Sequence, residues 1–146
     1  MKTVVLCGSV AFYEHINVLA AELEKLGFKA VVPETAAKMA KTKDYRVESV
    51  KTWYQNPEDF KEKARLMSEH FKEISEGNLL LIVNDEKHGQ PGYIGSNVLL
   101  EMGIGFYLKK PIYLLNEVNK EAQNYEEVAG MAPIIINGNL TKISKE

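Results

Sequence analysis

Five consecutive residues, Leu79-Leu80-Leu81-Ile82-Val83, constrain the fold of this chain more than anything else in it. A strand with one wet face alternates apolar and polar side chains, because successive residues point to opposite sides. This run does not alternate, so it reads as a strand covered on both faces, the mark of a parallel sheet between helical layers. Thr3–Cys7, ending in Gly8-Ser9, is a second such run. Ile16, Leu19, Leu23 and Leu26 then recur at helical spacing, with Gly27 as the stop signal. Ala30-Val31-Val32-Pro33 follows as a strand closed by a residue that cannot donate to a ladder. The opening therefore reads β-α-β, with a right-handed crossover.

The rest continues the alternation. Pro57 suits a first helical turn after Asn56 as N-cap, and Phe60, Ala64, Met67, Phe71 and Ile74 form an apolar stripe over 57–76. A polar, glycine-containing loop over 84–95 leads to a helix over 96–108. A strand is expected over 111–115, a helix over 117–131 and a short strand over 133–136. Residues 34–56, with Tyr45, Trp53 and Tyr54, read as an irregular or partly helical excursion across the strand ends, either a lid or plain surface. The expectation is one α/β domain over 1–146, with a Rossmann-like, parallel, five-stranded sheet and helices on both faces.

Composition removes several functional classes. A net charge of −2 provides no broad cationic face for duplex nucleic acid. No apolar run approaches a membrane span. The single cysteine, Cys7, cannot form an internal disulfide, which fits a reducing compartment, and the expected location is cytoplasmic. No glycine pattern of the dinucleotide or P-loop type occurs, and no cofactor is expected.

Open parallel sheets bind ligands beyond the carboxyl ends of their strands, at the switch point. Three segments should meet there: Gly8–Tyr13, the 84–95 loop and Asn116. Gly8 and Ser9 let backbone amides approach a ligand near a helix N-terminus, although a plain strand-to-helix turn reads the same way. Asn84, Asp85, Gly92, Gly95, Ser96 and Asn97 supply polar and glycine positions on the second segment. The helix beginning at Ser96 is apolar on nearly every face, which implies burial or a subunit interface, and Glu101 is its only charge. A lone buried carboxylate is costly unless paired. Either Glu101 is a working acid aimed back toward Gly92–Asn97, or it is a structural acid paired with Arg65, His70 or a lysine. Gly103 and Gly105 each cost about 1 kcal/mol against alanine inside a helix, which close backbone packing would explain. His70 reads as a packing or hydrogen-bonding residue, and Cys7 as an inert core thiol. No residue stands at metal-ligand spacing with His70, so no metal site is expected. Trp53 and Tyr54 are candidates to stack on a base, or to pack in a core or lid.

Val5-Leu6-Cys7-Gly8-Ser9 with Phe12-Tyr13 resembles the opening of the nucleoside 2-deoxyribosyltransferase superfamily, which includes the deoxynucleoside monophosphate N-hydrolases. Gly92-Tyr93-Ile94-Gly95-Ser96-Asn97, then Leu100-Glu101-Met102-Gly103, then Lys110-Pro111-Ile112-Tyr113, is similar to that superfamily's central block. The resemblance implies a flavodoxin-like fold, a nucleoside or nucleotide as small-molecule partner, and a homo-oligomer, commonly a dimer. It implies that Glu101 attacks C1′ of the sugar, that Tyr13 orients it or contacts the sugar, and that Gly8, Ser9 and Ser96 bind sugar hydroxyls or a 5′-phosphate. An aspartate that the family often carries at the start of the third strand is here Asn78, with Asp85 as a substitute. The basic residue of phosphate-binding members near the first helix is absent, His15 being the nearest candidate. Two functional classes follow: an enzyme acting on the N-glycosidic bond of a (deoxy)nucleoside or its 5′-monophosphate, and a non-catalytic nucleotide-binding or signalling module using the same cleft.

Overall fold

The computed structural model describes all residues, 1–146. Its chain order is β1 (Thr3–Gly8), α1 (Tyr13–Lys25), β2 (Lys29–Val31), α2 (Glu34–Thr42), α3 (Phe60–Glu76), β3 (Leu79–Val83), α4 (Ser96–Tyr107), β4 (Ile112–Leu114), α5 (Tyr125–Gly130) and β5 (Ile134–Ile135). The five strands form one parallel sheet in the order β2-β1-β3-β4-β5. The chain first winds from β1 to β2 and then crosses to the other side of β1, so the direction reverses between β1 and β3. Their carboxyl ends align, with Gly8 opposite Val83, and that is where a crevice is expected.

The unbroken apolar runs follow from covering both faces. Val4 and Leu6 of β1, with Leu79, Leu81 and Val83 of β3, pack beneath α1 and α2. Val5 and Cys7, with Leu80 and Ile82, pack toward α3, α4 and α5. Gly27 adopts φ 97° just after α1, the left-handed turn its lack of a Cβ permits.

Several boundaries differ from the sequence reading. Residues 34–56 begin with a regular helix, α2, whose Ala36 and Met39 enter the core. Asn56 makes no side-chain cap, and a short 3-10 turn over Pro57–Asp59 precedes α3. β4 and β5 are each one residue shorter at either end than expected, and β2 begins at Lys29. The helix expected over 117–131 shrinks to α5, because side chains capture the preceding backbone. Glu117 accepts from the amide of Val118 and Asn119 accepts from that of Glu121, while Asn124 ties the segment to the Ile94 carbonyl.

α4 is buried along Val98, Glu101, Met102 and Gly105 and open along Leu100, Phe106 and Tyr107. Gly105 explains itself, since a Cβ there would stand 2.8 Å from Leu80. Gly103 faces open space, so packing within the chain does not account for it. No helix is long and apolar enough to cross a membrane.

Candidate functional site

A cleft of about 440 Å³ opens at the carboxyl end of β1 and past the end of β2, between α3 and α4, with Val50, Lys51, Trp53 and Tyr54 along its edge. Glu101 lies on α4 with only 5% of its surface exposed. Asn97, one turn earlier on the same helix, donates from Nδ2 to its Oε2 at 3.2 Å. Lys63 of α3 in turn donates to Asn97 Oδ1 at 3.1 Å. Burial pushes the Glu101 carboxyl above its ordinary range, while His70, Cys7, Lys63 and Asn97 all pull the other way. Tyr13 opens α1 and lines the same cleft. Burial, and then the charge of Glu101, raise its phenol well above the usual value, so it remains a protonated donor.

α3 contributes more than its apolar residues suggested. Its most buried positions are His70 and Ile74, while Ala64 is exposed. Lys63, Met67, His70 and Ile74 follow helical spacing, and the polar members of that stripe face the cleft. His70 Nδ1 stands 2.9 Å from Glu73 Oε1, and Nε2 stands 3.1 Å from the Leu6 carbonyl and 3.6 Å from Cys7 Sγ. One ligand-type atom each from Cys7, His70 and Glu101 lies within 4.8 Å of the others. Linear spacing offers no metal-ligand partner for His70; Cys7 and Glu101 reach it in space, from β1 and α4. Cys7 is buried in an apolar layer as read, but His70 and Glu101 reach its thiol, and burial followed by Glu101 raises it far above the ordinary value.

Three lysines edge the cleft. Lys87 reaches Ser9 Oγ at 3.1 Å and lies 4.9 Å from the Tyr93 ring centre; Lys63 lies 5.6 Å from that of Trp53. Burial lowers the ammonium groups of Lys51 and Lys63, and Lys87 and Lys63 lower that of Lys51 further. None of the three joins a salt bridge. Arg65, one candidate partner for Glu101, is instead held on the surface by Glu34 and Glu62.

Of the residues singled out in the sequence, Gly8, Ser9, Tyr13, Gly95, Ser96, Asn97 and Glu101 line this cleft. Asn84, Asp85 and Gly92 do not. Asn84 is fully buried and exchanges two hydrogen bonds with the Asn116 backbone, at 2.9 and 3.0 Å, clamping the ends of β3 and β4 together. Asp85 pairs with His15 at 2.6 Å and accepts from Asn116 at 3.3 Å, which also removes His15 from the cleft. Gly92 adopts φ +62°, and a Cβ there would meet the Glu117 carbonyl at 2.6 Å. Asn78 lies at the opposite end of the sheet, where it accepts from the Thr3 amide at 2.7 Å, so its identity has no bearing on chemistry in the cleft. Trp53 is buried beside the cleft and Tyr54 is 77% exposed.

The chain is similar in structure to a 2-deoxyribosyltransferase from the psychrotolerant bacterium Bacillus psychrosaccharolyticus. The TM-score is 0.51 at 14% identity, over 91% of this chain and 97% of the other. The likeness establishes the fold. No family model and no curated protein matches the sequence.

Proposed function

We propose that this protein breaks the N-glycosidic bond of a nucleoside 5′-monophosphate, with Glu101 as nucleophile. The observation that carries the reading is a nearly buried carboxylate held by Asn97 beside a cleft, with Tyr13 and Lys63 close by. A carboxylate is a competent nucleophile toward an oxocarbenium-like carbon. An oxygen of Glu101 bonds to C1′, the C1′–N bond breaks, and its electron pair leaves with the base. Water then hydrolyses the resulting ester, or a second base displaces it. The similar solved protein, a transferase of deoxyribosyl groups by its name, supports this chemistry. Lys51, Lys63 and Lys87 favour the phosphorylated substrate, because each lacks a salt-bridge partner and Lys51 is disfavoured by the other two. A bound phosphate relieves that repulsion.

Base release from deoxynucleosides and their 5′-monophosphates, followed by chromatography with and without a second base, tests the proposal. Glu101→Ala is expected to lower release by at least about a thousand-fold while the protein stays folded. Retained release in that variant refutes the nucleophile. Nucleotide-dependent thermal stabilisation without any release returns the cleft to the non-catalytic binding reading.

The open face of α4, with Leu100 and Phe106 each 53% exposed and Gly103 against nothing in its own chain, supports assembly into a homodimer through this helix. Leu100→Glu is expected to convert a dimer to a monomer by light scattering, and an unchanged mass removes α4 from the interface.

A further inference from the structure

His70 is buried, and acceptors face both of its ring nitrogens. Nδ1 stands 2.9 Å from a carboxylate oxygen of Glu73 and Nε2 stands 3.1 Å from the carbonyl of Leu6. A carbonyl only accepts, and so does an ionised carboxylate. A neutral imidazole has one N–H and one bare lone pair. Either neutral tautomer would therefore press a lone pair against an acceptor in a site with only 5% exposure, where an unmade hydrogen bond is expensive. Cys7 Sγ lies 3.6 Å from Nε2, farther than the Leu6 carbonyl, and its thiol is engaged by Glu101, so the doubly protonated ring is the form that satisfies both oxygen partners. The side chain of Glu73 is 26% exposed and lines the cleft.

The same contacts argue against a metal at the Cys7, His70 and Glu101 cluster, since both ring nitrogens already face protein acceptors. Groups from four elements surround the ring or share its carboxylate. Glu73 and Lys63 belong to its own helix, the Leu6 carbonyl and the Cys7 thiol come from β1, Glu101 comes from α4, and Tyr13 from α1. Within this set Glu101 is the one nearly buried carboxylate, and a cation less than 5 Å away acts strongly on it.

We infer that His70 is an imidazolium whose charge holds Glu101 ionised, which makes it a positioning residue for the nucleophile. The inference rests on the reading of Glu101 given above, and it extends that reading to a residue that touches the chemistry only through Glu101. Electrostatics run the same way. Burial opposes a charge on His70, yet Glu73, Glu101 and the Leu6 carbonyl outweigh it. For Glu101, His70 is the largest influence acting against burial.

The first measurement needs neither substrate nor variant. Nitrogen-15 NMR of the histidine rings in the intact protein should show both His70 nitrogens protonated at pH 7. A single neutral tautomer there overturns the inference. The second follows the Glu101 carboxyl by carbon-13 NMR, and the acid limb of kcat/KM, in wild type and His70→Gln. Loss of the cation should move both to higher pH by at least about one pH unit. Glu73→Gln should move them in the same direction by less, because His70 then loses the anion that keeps it charged. A histidine with only a structural role would lower Tm and leave the carboxyl titration in place, which also overturns the inference. If His70 is doubly protonated and the carboxyl titration shifts, but no base is released from any nucleotide, the pairing stands and the proposed reaction falls.

Discussion

Beneath α1 and α2, the sheet is sealed by 18 buried residues, from Val4 and Leu6 to Leu81 and Ile136, and no buried charge enters that layer. On the opposite face a smaller set of 10, including Val5, Leu80, Val98 and Met102, meets α3 and α4. There His70 and Glu101 are buried beside Cys7. Leu6 and Cys7 are neighbours in β1, both fully buried, and point to these two different worlds. One face stabilises the molecule through apolar burial. The other gives up part of that stabilisation to hold ionisable groups out of water, where their mutual influence is greatest.

The largest test of this contrast is Leu6→Ala against Cys7→Ala. Leu6 has no exposed surface, so its truncation should destabilise by about 2–5 kcal/mol in chemical denaturation, with loss at the upper end if the cavity cannot collapse. Cys7→Ala removes a single atom and should cost about 1 kcal/mol, the scale of a methylene-sized loss. Its main effect should be on the titration of Glu101, whose charge the thiol helps to hold. Equal destabilisation by the two variants would mean that both faces are cores of the same kind.

Asn84 gives an intermediate effect, because it is a buried polar residue with a purely local task. Asn84→Ala removes one side of its pairing with the Asn116 backbone and should cost about 1–3 kcal/mol, the penalty of leaving a buried partner unsatisfied. Substrate affinity should barely change in this variant, since Asn84 lies outside the cleft. A loss of binding with unchanged Tm would return Asn84 to the site.

The sequence carries the first of these faces more openly than the second. Leu79–Val83, the stripe from Ile16 to Leu26 and the Gly27 stop define sheet and helix because each is a local pattern with a local cause. Glu101 is conspicuous for the same reason, as one charge on an apolar helix. Which partners it takes is not legible: of the candidates the sequence offers, His70 and a lysine reach it from α3 while Arg65 does not, and Cys7 of β1 is not among them. In α3, the apolar residues Phe60, Ala64 and Phe71 point to a stripe one step away from the buried one. The inward line through Lys63, Met67, His70 and Ile74 contains two ionisable groups, which a hydrophobic period does not register. Asn84, Asp85 and Gly92 misled in the opposite sense. They have binding-site chemistry, but Asn84 spends it on the Asn116 backbone, Asp85 on His15 and the Asn116 side chain, and Gly92 on a left-handed turn.

The lysines sharpen the contrast at the mouth of the cleft. Lys87→Ala should weaken a 5′-monophosphate about tenfold relative to the matching nucleoside, the loss expected when one charge-assisted hydrogen bond disappears. The selectivity should shrink as salt is raised, since the cleft is open to solvent. Equal weakening of both ligands would place Lys87 on the sugar or base.

The smallest effect concerns the resting protein. Burial raises the Glu101 carboxyl above its unfolded value, so the folded state holds this proton more tightly than the unfolded chain does. The stabilisation this provides is complete below the unfolded pKa, near 4.3, and is lost as pH rises through the higher folded value. Glu101→Gln keeps the shape and removes the titration. Its Tm should therefore match or fall below that of wild type near pH 4 and gain on it toward pH 8, in differential calorimetry at fixed salt. A gap that stays constant across that range would mean that His70, Lys63 and Asn97 together compensate the burial completely. A gap that runs the other way would make Glu101 a stabilising ion-pair partner, and the contrast between a structural face and a working face would then fail at the residue on which it most depends.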